Sequence, residues 1–227
     1  MGFCVESGTR ICLPTAVMSA SSSEVAGSAD TGRLDSCVPR GRITPDALVS
    51  AAADLADKIG FENVTLAALA KRFGVRDASL YTHIRSLADL QERVGLRALS
   101  EWAEALSAAV AGRAGRDALT AFADTYRTLA TEHPGRYAAT RHPVPPERAA
   151  ETPGVMRIIE VCYALLRGYD LSEPDATDAV RFLRSTLHGF SDLEATGAFT
   201  ADHSIDVSWR RAVDALHHTL TNWTKIH

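Results

Sequence analysis

Apolar residues between Leu66 and Phe73 fall at Leu66, Leu69, Ala70 and Phe73, the i, i+3, i+4, i+7 spacing of a helix with one buried face. Thr65 stands where a side-chain oxygen can cap that helix, and Gly74 stands where the chain must leave it, often with positive φ. A second short helix follows at once. Asp77 is placed to cap it, Leu80 and Ile84 point inward, and Val75 plugs the turn. Arg76, Ala78, Ser79, Tyr81, Thr82 and His83 are left on the outside as a short, polar and aromatic face.

The same spacing predicts helices on both sides of this pair. Thr44-Pro45 is a capping residue followed by proline at the first helical position, and Ala47, Leu48, Ala51, Leu55 and Ile59 form an apolar stripe that Gly60 ends. Phe61 and Val64 complete a small core. Ser86-Leu87-Ala88-Asp89 reads as a capping box, with Asp in the usual Glu place. It opens a long helix through Leu90, Val94, Leu99, Trp102, Leu106 and Val110 as far as Gly112. Further helices are predicted near 116–132, 135–141, 154–168, 173–196 and 205–223, with the proline-rich stretch from Pro143 to Pro153 as a loop. No segment alternates with period two for long enough to make a sheet, so the fold class is all-α. Three parts are expected: a tail over residues 1–41, too poor in apolar surface to order itself, a helix-turn-helix domain over 42–86, and a larger helical domain over 87–227.

Two short helices joined by about four residues suit a motif that lays its second helix in the DNA major groove. Small Ala78 and Ser79 allow close approach to base edges, and Tyr81, Thr82 and His83 can donate to phosphates or bases. The pattern alone fits an ordinary helical hairpin equally well. The run Thr65-Leu66-Ala67-Ala68-Leu69-Ala70, then Phe73-Gly74-Val75, then Ser79-Leu80-Tyr81-Thr82-His83-Ile84, resembles the N-terminal domain of the tetracycline-repressor (TetR) family of transcriptional regulators. The likeness covers roughly residues 43–90, and Leu187-His188-Gly189-Phe190 with Gly197-Ala198-Phe199 resembles the C-terminal domain of one branch.

The resemblance implies an all-α homodimer that binds double-stranded operator DNA through its N-terminal helices and a small-molecule effector through its C-terminal ones. It implies phosphate contacts from Thr65 and Tyr81, base contacts from Arg76, Ser79 and Thr82 along a reading helix that also holds Asp77 and Ala78, and His83 at the phosphate edge. Many members carry Lys at the start of the fourth helix. Leu87 stands there in this sequence, so that contact is lost or passes to Arg85.

Charge distribution changes the picture more than its total. The net charge is −4, yet residues 38–85 hold seven Lys and Arg against five Asp and Glu, while 86–227 hold fifteen against nineteen. A modest local surplus suits a protein that touches phosphates with a few side chains and keeps the rest of its body clear. Arg40 and Arg42 read either as a basic arm for the minor groove or as solvated arginines at a linker end. Met18 is a second candidate start. With neither a secretory signal nor an apolar run long enough to span a membrane, a cytoplasmic protein is expected. Cys4, Cys12, Cys37 and Cys162 form no CxxC pair and suit a reducing compartment.

Candidate pocket residues are Trp102, Phe122, Tyr126, Met156, Cys162, Tyr163 and His188, apolar walls with sparse polar groups, although each residue type is equally at home in a core. Leu183, Leu187 and Phe190 on one late helix, and Trp209, Val213, Leu216 and Leu220 on the next, are candidates for a homodimer interface or for the monomer core. Phosphate-loop, dinucleotide and HExxH patterns are lacking, and adjacent His217-His218 diverge by about 100° on a helix, so no enzyme, cofactor or metal is expected. The expectation is a ligand-responsive DNA-binding regulator, most simply a repressor released by an apolar or aromatic effector. The alternative is a helical small-molecule carrier or enzyme that does not bind DNA.

Overall fold

The computed structural model describes residues 43–223, which form ten α-helices and two short 3-10 turns and, among the described residues, no strand. The expectations for the tail, for Arg40 and Arg42 and for the three early cysteines lie outside the described residues. Helix α1 spans Pro45–Ile59, α2 Leu66–Phe73, α3 Asp77–Leu80 and α4 Leu87–Val110. Beyond them lie α5 (Gly115–Glu132), α6 (Pro134–Ala139), α7 (Pro146–Ala150), α8 (Pro153–Leu166), α9 (Asp175–Ala195) and α10 (Ile205–Thr221). Among the described residues no helix is long and apolar enough to cross a membrane, and no group of His, Cys, Asp and Glu could hold a metal ion.

Two hydrophobic cores share α4 as their spine. The first gathers Leu48, Ala52, Leu69, Leu80, Ile84, Leu90 and Val94 under the head formed by α1 to α3. The second gathers Trp102, Leu106, Leu119, Phe122, Leu165 and Leu166 with the inner faces of α9 and α10. Capping fixes where the head helices begin: Thr44 Oγ1 accepts from Ala47 N at 3.1 Å, Thr65 Oγ1 from Ala68 N at 3.2 Å, and Ser86 Oγ from Asp89 N at 3.1 Å.

Three expectations are corrected. The buried stripe of α1 is Leu48, Val49, Ala51, Ala52, Ala53 and Ala56, whereas Ile59 is 42 % exposed and Leu55 half-buried. The stretch from Pro143 to Pro153 is not wholly a loop: Pro146 provides a first-turn proline for the short helix α7. The stripe offered for a partner subunit is spent inside the chain. Leu183, Leu187, Trp209, Val213, Leu216 and Leu220 are all at most 3 % exposed, and Phe190 packs on Phe199 and Trp209 with ring centroids 5.0 Å away in each case.

Candidate nucleic-acid interface

Local sequence builds the reading face. Gly74 ends α2 in the left-handed region (φ 67°), and Val75 N then donates to Ala70 O at 3.0 Å, which turns the chain sharply into α3. Leu80 and Ile84 anchor the second helix from below, at 0 % and 3 % exposure. Arg76, Asp77, Ala78, Ser79, Tyr81 and Thr82 are exposed and His83 is half-buried. The helix is a single turn, Asp77–Leu80, continued by a turn from Tyr81 to His83.

Asp77 does not cap it. Arg76 occupies the cap position with extended backbone, and Asp77, one residue further on, adds only its negative charge to the first turn. Thr82 Oγ1 donates to Ser79 O at 2.8 Å, so its proton is already committed and it can offer DNA its lone pairs and methyl group. Tyr81 is 56 % exposed with its hydroxyl free to donate. Thr65 is an exposed cap at the start of α2.

Behind this face, Asp89 organises the start of α4. Its carboxylate accepts from Arg85 N at 3.0 Å and from Arg93 Nε at 3.2 Å. Burial works to raise its pKa, but these hydrogen bonds and the charges of Arg93 and Arg85 outweigh it and hold the carboxyl below the usual range. Asp89 therefore fixes the backbone of Arg85 while the Arg85 side chain stays 80 % exposed. Tyr81, Thr82, His83, Arg85 and Arg93 line one cleft of about 320 Å³ beside the reading turn. Arg93 was not singled out from the sequence; its i+4 spacing from Asp89 was the available signal.

A six-residue helix ties the head to the body. The backbone of Gly135 in α6 runs so close to α1 that a Cβ there would lie 2.0 Å from the Ala56 carbonyl carbon. Next to it, Arg136 pairs with Asp57 and with Asp54 (2.7 Å), and approaches Glu101 of α4 at 3.5 Å. Asp57 also accepts from Arg136 N at 2.8 Å and meets His133 Nδ1 at 3.1 Å. Tyr137, the following residue, faces the other way, into the body: its ring lies 6.0 Å from Trp102, 6.1 Å from Tyr126 and 5.6 Å from His188.

The pocket candidates divide accordingly. Trp102, Tyr126 and His188 surround Tyr137, while Phe122 and Cys162 belong to the adjoining core. Burial pushes the Cys162 thiol up to about 11, which makes it inert. Met156 is 44 % exposed and Tyr163 turns its hydroxyl to Thr177 Oγ1 at 2.8 Å, so neither joins the cluster. Tyr137, the residue at its centre, was missed because it sits on a helix too short to show a period.

A small head with an outward second helix, mounted by a long helix on a larger helical body, defines a helix-turn-helix DNA-binding regulator. The chain belongs to the TetR family of transcriptional regulators. Residues 48–94 match the family description "Bacterial regulatory proteins, tetR family", and residues 119–216 match "Tetracyclin repressor-like, C-terminal domain". It is 37 % identical to the uncharacterized HTH-type transcriptional regulator Rv0681 of Mycobacterium tuberculosis, over 69 % of this chain and 72 % of that protein. It is 35 % identical to the uncharacterized HTH-type transcriptional regulator YobS of Bacillus subtilis, over 74 % and 87 %. Among solved structures, it shares its fold with BioQ bound to its double-stranded DNA operator (TM-score 0.56, 20 % identity, 78 % of this chain and 99 % of that one). It shares it also with ActR of Streptomyces coelicolor in complex with (S)-DNPA (TM-score 0.60, 16 % identity, 80 % and 98 %).

Proposed function

We propose that this TetR-family regulator is a cytoplasmic, homodimeric repressor that leaves its operator when a small apolar or aromatic effector enters the body. The observation that carries the reading is the arrangement of α6, where consecutive residues face opposite ways: Arg136 holds α1 of the head by ion pairs, and Tyr137 is the hub of the aromatic cluster in the body. An effector that moves Tyr137 acts on the Arg136 lock next to it, and α4 and α1 carry the reading turn along. The fold neighbours named above, one with operator DNA and one with a small molecule, support the two halves of this reading.

In the proposed contacts, Tyr81, Thr65 and His83 hold phosphates, and Arg76, Ser79 and Thr82 approach bases, with Arg85 taking the place of the missing lysine at Leu87. Two such heads are needed, because paired reading helices match half-sites about 34–36 Å apart. The dimer face is the outward side of α9 and α10, where Thr186 and Gly189 are half-buried, Leu193 is 46 % exposed and nothing stands within 4 Å above Gly189.

Mobility shift against the DNA upstream of the protein's own gene, at two salt concentrations, tests the reading. Binding should be tight, sequence-dependent and weakened by salt, with log K falling by about 0.9 per phosphate contacted for each unit of log salt. A salt-insensitive protein, or one indifferent to sequence, is not this repressor.

A further inference from the structure

The Arg136 lock does not stop at α1. Asp54 divides its carboxylate between two elements: Oδ1 accepts from Arg136 Nη2 of α6 at 2.7 Å, and Oδ2 accepts from Arg72 Nη2 of α2 at 3.3 Å. Neither guanidinium completes a two-point fork on it, and the buried Nε of each has no hydrogen-bond partner. Glu101 Oε2 of α4 stands 3.5 Å from Arg136 Nε, and Glu101 in turn accepts from Arg97 Nε at 2.8 Å. A line of alternating charge, Arg72, Asp54, Arg136, Glu101 and Arg97, thus runs through α2, α1, α6 and α4.

Arg72 stands two residues before Gly74, at the end of α2 where the chain turns toward the reading helix. Its side chain is 21 % exposed, whereas Lys71 beside it is exposed. A guanidinium turned inward onto a carboxylate is not offered to a phosphate, so Arg72 counts toward the positive charge of the head without joining its outer face. Its contact has another use. The eight residues of α2 bury only Leu69 and Ala70, a narrow hold that leaves a short helix free to roll, and a directed ion pair at its last turn fixes where the Gly74 turn and α3 point.

We infer that Arg72 and Asp54 are positioning residues for operator recognition: the shared carboxylate ties the end of α2 to Arg136, so that the body acts on the reading pair directly as well as by carrying α1 and α4. This rests on the proposed repressor function and adds residues that touch neither DNA nor effector. The division of Asp54 is what makes the tie, since a carboxylate held by Arg136 alone would end the line at α1, and one held by Arg72 alone would keep it inside the head.

The test is a double-mutant cycle on the full chain with Arg72→Met and Arg136→Met, read as affinity for the DNA upstream of its own gene and as urea midpoint. The two readings should depart from additivity in opposite directions. Arg72→Met should weaken operator binding about tenfold, the loss of one hydrogen bond to a charged group, and the double variant should bind no more weakly than Arg136→Met alone, because a tie cut at one end is cut. In urea, each single variant leaves Asp54 one arginine and the double variant leaves it none, so the midpoint should fall by more than the sum of the single losses. Arg72→Lys should restore most of the operator affinity, since the tie uses a single nitrogen of Arg72. Operator losses that add, wild-type operator affinity in Arg72→Met, no rescue by Arg72→Lys, or midpoint losses that merely add overturn the inference. A wild type that ignores DNA of every sequence sinks the repressor instead, and the tie is then judged by the urea cycle, where additive losses overturn it.

Discussion

Tyr81 and Arg76 are both exposed on the reading turn, but they should fail differently. Tyr81→Phe removes only a hydroxyl, so binding to all operators should weaken alike, whereas Arg76→Ala should shift preference at one base pair by about 1–3 kcal/mol. Binding measured across a set of single-base operator variants separates the outcomes, and an unchanged ranking in Arg76→Ala refutes its base-reading role. Asp89 gives a pH test. Its carboxyl is held below the ordinary value of 3.8, so its stabilisation is present above that value and is lost as the pH falls through the folded one. Asp89→Asn should cost about 1–3 kcal/mol at neutral pH, and urea melts should show the gap to wild type closing as the pH drops below about 4. Much at this scale was legible in the sequence: Leu80 and Ile84 as anchors, Gly74 as the turn, Thr65 and Ser86 as caps. Asp77 was misread because the cap and the first helical position differ by one residue, and Thr82 because its bond to the Ser79 carbonyl depends on the turn that follows.

Among the elements, α6 is the one whose importance exceeds its length. Gly135→Ala places a Cβ inside the backbone of α1, and Arg136→Met leaves Asp54 and Asp57 without their guanidinium. The first should cost about 1–3 kcal/mol as overpacking, and the second about 3 kcal/mol, the lower end for breaking a buried pair, because Asp54 is partly solvated. Both should lower operator affinity more than Tyr81→Phe does; operator binding at wild-type strength in Gly135→Ala would show that α6 is not coupled to the head. Periodicity revealed the long helices to within a few residues. It could not reveal α7 or the role of α6, since five or six residues make less than two turns, and it extended the stripe of α1 to Ile59, the last residue of the helix, which is exposed.

For the whole molecule, the same arithmetic of faces decides the quaternary expectation. The inner sides of α9 and α10 are filled by the chain's own core, which a pattern of apolar residues cannot distinguish from a face awaiting a partner. The outward side is what remains. Gly189→Arg, at a position with open space above it, should leave helicity unchanged by circular dichroism and yield a monomer in sedimentation. A dimer of wild-type strength would place the interface elsewhere. The charge balance acts on this scale too: with a net charge of −4 and the Lys and Arg surplus confined to residues 38–85, the proposed DNA contacts would rest on a few head cations while the acidic body stays clear of phosphates.

The seam at Gly135 and Arg136 also sets a rule for transplantation. Because the complementary groups Ala56, Asp57 and Asp54 belong to the head, a chimera that joins this body to a foreign reading module should keep the α6 lock only if that module brings a small residue and two acids at the matching places on its first helix.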